Sequence, residues 1–232
     1  MAEEMVHGVG KVSARGKDWV PAAAHALATY GFCVLSMPHD GDPLINPDLC
    51  TQCALAAERR LARLLSEVRK KDYGIDETWR YEEICHRHEN SRRYDMSIAE
   101  TDRHDPKLAD AASWATLHRE ADRIAKPVID AAVARLGACA AAAHAGAHRC
   151  MAGCVVAAPG ALDQPYHCDG DEQLYNCFVP LVPVSSCNGP TQFLVGSHVE
   201  HPCEHATLHK GPAQRLLAAP ELQLGGRRLP LT

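Results

Sequence analysis

"DQPYHCDGDEQLYNCFVPLVPVSSCNGPTQFLVGSH", residues 163–198, places His167 and Asp169 two positions apart at the mouth of an apolar, strand-like run. On extended backbone, residues i and i+2 share a face, so both side chains can reach one ion at about 2 Å. That supplies two of the three ligands of a two-His-one-carboxylate site. The competing reading is a polar β-turn in which Asp169 and Gly170 are the turn residues. Spacing alone is weak evidence in a chain with 14 histidines, for His118-Arg119-Glu120 and His198-Val199-Glu200 repeat the pattern. At 118–120 helical spacing turns the two side chains to different faces.

The flanks favour β structure around the pair. "CMAGCVVAAPG" before it, and "QLYNCFVPLVPV" and "TQFLVGS" after it, are short β-compatible runs punctuated by Pro-Gly, Asp-Gly and Asn-Gly-Pro. Upstream of residue 148 the character is helical. "KDWVPAAAHALATY" (17–30) has helical composition and runs into the strand-length "GFCVLSM". In "NPDLCTQCALAAERRLARLLSEVRKK", Asn46 is the N-cap and Pro47 the first helical residue, and Leu49, Cys53, Ala57, Leu61, Leu64 and Val68 form one stripe. "WRYEEICHRHENSRRYDMSI" (79–98) reads as two extended pieces around a polar turn. Residues 107–143 are Ala-rich with helical spacing, as two helices or as one kinked at Pro127. The expectation is an α+β chain forming one domain over residues 1–232, helix-rich over 1–147 and β-rich over 148–232.

A net charge of −5 and a pI near 6.3, with Lys and Arg spread among acids, argue against a nucleic-acid partner. The N-terminal "MAEEMVHGVGKVSARGKDW" has early acids and no apolar core segment, and no run approaches the length of a membrane span. An intracellular, cytoplasmic protein without a membrane partner is expected. The 11 cysteines are scattered, and reduced thiols are the expected state. Cys50 and Cys53 have Cys-x-x-Cys spacing, yet lie inside the helical stripe with no second close pair, so helix-face cysteines are preferred over a zinc or redox site.

"APGALDQPYHCDG" followed by "FVPLVPVSSCNGPTQFLVGSH" resembles the phytanoyl-CoA dioxygenase family: a Pro-Gly turn, Gln-x-x-His-x-Asp-Gly, a Pro-Leu strand, then Asn-Gly-Pro and Gly-Ser-His. The likeness is strongest over 154–198, weaker over 17–36 and weaker again at "RRYDM" (92–96). It implies a double-stranded β-helix of the jelly-roll or cupin kind, buttressed by helices. It also implies Fe(II) as cofactor and 2-oxoglutarate as cosubstrate. Oxidative decarboxylation with O2 would give succinate and carbon dioxide and drive hydroxylation of a small organic or acyl substrate.

By this resemblance His167 and Asp169 are iron ligands and Phe178 lies against the cosubstrate, with a core phenylalanine as the equal alternative. Asn188-Gly189-Pro190 and Gly196-Ser197-His198 are framework, His198 serving a turn rather than a metal. Arg92 and Arg93 are candidates for a carboxylate or acyl-CoA phosphate contact, against a plain solvated role. The family's distal His and its 2-oxoglutarate-gripping Arg have no recognisable counterpart. "PELQLG" resembles the start of the strand that should carry the distal His, and "GRRLPLT" does not continue it. His201, His205 and His209 precede that strand and are poor substitutes, as are Arg227 and Arg228 for the clamp. The expectation is a C-terminally truncated or frame-shifted member, poorly soluble and without turnover as written, its last strands missing. The alternative is an inactive jelly-roll binding module.

Overall fold

The computed structural model describes residues 9–37, 43–71, 77–98, 110–135, 152–164, 167, 175–185, 187–196 and 228–230. Three helices and eight short strands follow one another over these residues. They are β1 (Lys11–Ser13), α1 (Trp19–Tyr30), β2 (Val34–Ser36), α2 (Pro47–Lys70), β3 (Trp79–Tyr81), β4 (Ile84–His86), β5 (Arg93–Ile98), α3 (Ala111–Arg135), β6 (Ala152–Ala157), β7 (Gln192–Leu194) and β8 (Arg228–Pro230). The fold is α+β.

The main sheet has the order β3-β4-β5-β6 and is antiparallel throughout, with β5 and β6 in register from Arg93↔Ala157 to Ile98↔Ala152. Strand alternation gives it two unlike faces. One presents Trp79, Ile84, Tyr94, Met96, Ile98 and Cys154, all buried in a single cluster with Ala57, Leu61, Leu64 and Val68 of α2. The other carries Arg93, Asp95 and Ser97 of β5 and Val155 of β6, which is 49% exposed. So α2 covers one face of the sheet with the stripe that its sequence spacing marks.

α2 begins as its capping residues require. Asn46 Oδ1 accepts from the Asp48 N–H at 2.9 Å, Pro47 occupies the first turn, and Arg69 and Lys70 close the last turn, where cations suit the helix dipole. Arg60 of α2 donates from Nε to Glu83 Oε1 at 2.6 Å, and Arg63 Nη2 reaches the same oxygen at 3.4 Å, tying the helix to the β3–β4 turn. α3 packs against both α1 and α2. On α1 the buried residues Ala23, Ala24 and Ala26 are small, which lets helices approach closely.

β1 and β2 form a separate parallel pair, and β7 pairs antiparallel with β8. These pieces are pinned to α1. Phe32 stacks on Phe193 of β7 with ring centroids 4.8 Å apart, and the Gly196 N–H donates to Tyr30 O at 3.0 Å. Gly10 has φ 71, and a Cβ there would stand 2.8 Å from Phe32 Cε2, so backbone and ring meet only because no side chain intervenes.

Several expectations need correcting. The extended piece at 79–86 is itself a hairpin, turning at Glu82 with φ 49, so the sheet draws three of its four strands from the part expected to be helix-rich. Of the two readings of the Ala-rich stretch, the single helix holds: Ala111–Arg135 is one helix with Pro127 inside it. In "QLYNCFVPLVPV", residues 175–184 are described and none is in a strand; Pro180 and Pro183 have no N–H to give a ladder. Among the described residues, no helix is long and apolar enough to cross a membrane.

Candidate functional site

β6 ends at Ala157 and delivers the chain into the Pro159-Gly160 turn that leads toward His167. That turn is fastened to the β4–β5 loop. The Ala158 N–H donates to Arg92 O at 2.9 Å and the Leu162 N–H to Ser91 O at 3.0 Å. Within the turn the Ala161 N–H donates to Ala158 O at 2.9 Å, and Arg92 Nη1 donates to Pro159 O at 3.3 Å.

The loop that receives the turn is itself rooted in the core. Ser91 pairs its hydroxyl with His86 Nε2 at 3.1 Å and accepts the Arg93 N–H at 3.3 Å. His86, 1% exposed, bonds through Nδ1 to Glu77 O at 2.6 Å; a carbonyl only accepts, so Nδ1 donates and a neutral ring then accepts at Nε2. The His86 ring packs in a triangle with Trp79 and Tyr94, with centroids 5.8 and 5.4 Å away and the two aromatics 6.2 Å from each other. A buried Ser–His pair of this kind has no open face for a substrate, and its work is structural. Neither Ser91 nor His86 stands out in the sequence, since an isolated Ser or His in a polar stretch carries no spacing signal.

The residues expected at the site fall as follows. His167 is exposed, and Asp169 lies outside the described residues. Phe178 is 53% exposed. Arg92 contacts the Pro159 carbonyl, whereas Arg93 faces Asp95 on its own strand at 4.0 Å. Asn188 is built into its turn, accepting the Ser185 N–H at 2.8 Å and donating from Nδ2 to Pro183 O at 2.6 Å. His198, His201, His205, His209 and Arg227 lie outside the described residues, and Arg228 enters β8. Among the described residues no three of His, Cys, Asp and Glu converge as a metal cluster. An open groove between the start of α2 and α3 is lined by Leu44, Asn46, Gln52, Ser113, Thr116 and Arg123, among others, and by none of the expected site residues.

The Cys-x-x-Cys pair belongs to the core side of α2. Cys53 is fully buried; burial first, then the neighbouring Cys50, Cys154 and Asp110, push its thiol up to about 12. Burial likewise pushes Cys154 up to about 11. A thiol that holds its proton is a poor nucleophile, and at pH 8 a group with a pKa of about 12 is only about one part in ten thousand thiolate. Iodoacetamide is therefore expected to modify the exposed Cys177 and Cys187 first and to spare Cys53 and Cys154 until the chain unfolds, as peptide mapping will show. Because the folded state holds the Cys53 proton more tightly than the unfolded state, this contribution to stability is full below pH 9.0 and is lost as pH rises toward about 12. Early alkylation of Cys53 in the folded protein would contradict the placement.

Comparison with protein-family models, with curated proteins and with solved structures returns no match for this chain.

Proposed function

We propose that the chain carries a non-haem Fe(II)/2-oxoglutarate oxygenase site of the phytanoyl-CoA dioxygenase type, with His167 and Asp169 as metal ligands and a small organic or acyl molecule as substrate. The observation that carries the reading is the linked series Pro159-Gly160, His167-x-Asp169, Asn188-Gly189-Pro190 and Gly196, with an exposed imidazole downstream of a turn fixed by hydrogen bonds. An imidazole and a carboxylate form a mixed N/O donor set that suits Fe(II), and His167 lies at the surface. The reading assigns the remaining donor to residues outside the described set. A jelly roll also requires a second layer opposite α2, and the face of the sheet bearing Arg93, Asp95 and Val155 is the one on which it would lie.

When bound, the metal and keto acid supply the oxidising chemistry. The chain's part is positional. His167 and Asp169 would hold the ion, and the Phe178 ring would offer an apolar surface beside the cosubstrate.

The test is a titration of the purified chain with Mn(II), an inert stand-in for Fe(II), with and without 2-oxoglutarate. Saturable one-site binding that 2-oxoglutarate tightens is the expected result, because coupling between two ligands is reciprocal. Binding indifferent to the keto acid, or stoichiometric zinc in protein purified without added metal, would overturn the reading. Succinate formation with Fe(II) and O2 would further show that one of His198, His201, His205 or His209 completes the ligand set.

A further inference from the structure

The geometry points to Arg92 as a positioning residue for the His167 segment, an inference that rests on the metal-site reading above. Arg92 has φ 50, a left-handed conformation that long side chains rarely adopt. Glycine would take this φ without penalty, so what arginine adds at the position is its side chain. That side chain crosses to the Pro159-Gly160 turn, where Nη1 donates to Pro159 O at 3.3 Å. The fit is close: Gly160 has φ 79, and a Cβ there would stand 3.2 Å from the same Nη1.

The strained backbone is held from both sides. The carbonyls of Ser91 and Arg92 accept from Leu162 and Ala158, at 3.0 and 2.9 Å, so the loop grips the turn before and after Pro159-Gly160. Behind it, the buried Ser91 hydroxyl is fixed by His86, which is fixed in turn by Glu77 O. A continuous run of hydrogen bonds thus links the core of the sheet to the start of the segment that, five residues after Leu162, presents His167. Arg92 touches neither metal nor substrate in this account. Its guanidinium restricts the angle at which the segment leaves β6, as outer partners restrict the ligands of metal sites.

The test separates positioning from stability. In Arg92→Gly the φ strain disappears, so thermal stability is expected to stay level or rise, while exchange of the Leu162 and Ala161 amides quickens. Mn(II) affinity is expected to fall about tenfold, the lower end of what losing support behind a ligand costs. Arg92→Lys, which keeps the charge without the planar fork, is expected to fall between. Arg92→Gly protein with unchanged Leu162 exchange and unchanged Mn(II) affinity would overturn the inference, as would affinity lost only in step with stability. If the parent chain binds no Mn(II), the metal-site reading fails by itself. The Leu162 exchange rate in Arg92→Gly then still decides whether Arg92 holds the turn.

Discussion

Replacing His167 with alanine is expected to lower Mn(II) affinity by more than about a hundredfold, measured by titration with the free ion followed by electron paramagnetic resonance. The size follows from the type of group lost: removing partners that merely orient a ligand costs about 10–100-fold, and a ligand itself counts for more. His167 is exposed, and truncating exposed side chains usually shifts stability by no more than about 0.5 kcal/mol, so the Tm of His167→Ala is measured beside its affinity. Loss of binding with an unchanged Tm would report on coordination and not on unfolding. His118→Ala is the matched control. It breaks another His-x-acid pair, but that pair sits on α3, where helical geometry separates the two side chains. Affinity should be unchanged there. Equal affinity in His167→Ala and the parent would remove His167 from the site, and with it the main support for the oxygenase reading.

What the sequence discloses differs sharply between elements. α2 is legible from end to end because its information is local: a cap, a proline, a stripe of fixed period, then basic residues. The β3–β4 hairpin is not legible, since its turn runs through Glu82 and Glu83 with none of the Gly, Asn or Pro that marks a reversal. β1 is three residues in a polar context, and it becomes a strand by parallel pairing with β2 across α1. Such pairing leaves no periodic trace. At 175–185 the apolar, β-branched residues suggest a strand, but Pro180 and Pro183 deny the ladder its donors.

The site follows the same division. Its side-chain chemistry, His167 with Asp169 and the aromatic Phe178, is visible as residue types at a spacing. Its support is not. The fastening of the Pro159-Gly160 turn uses the carbonyls of Ser91 and Arg92, and a carbonyl is present whatever the side chain. The one sequence mark of that contact is Gly160, whose missing Cβ makes room for Arg92, and a glycine after proline reads equally well as an ordinary turn. Long-range backbone contacts of this sort become legible only when the partner strand is known.

Leu64→Ala is expected to destabilise the fold by about 3 kcal/mol, within the range found for leucine truncations in cores. Leu64 is fully buried, and it sits on α2 among Leu61, Val68, Ile84, Met96 and other members of the one cluster that joins helix to sheet. Removing its isobutyl group opens a cavity that the strands cannot close without leaving register, so the lost transfer energy and the lost contacts add. For a chain of this size each kcal/mol moves the midpoint by about 2–4 °C, so Tm should fall by about 10 °C. Leu55 provides the comparison on the same helix. It is 48% exposed, and Leu55→Ala should change Tm by no more than about 2 °C. The contrast isolates burial, because helix propensity changes in the same direction and by the same small amount in both variants. Equal effects of the two substitutions would mean that α2 does not pack its Leu61–Leu64–Val68 stripe against the sheet. The connection from core to Ser91 and on to the turn before His167 would then lose its foundation.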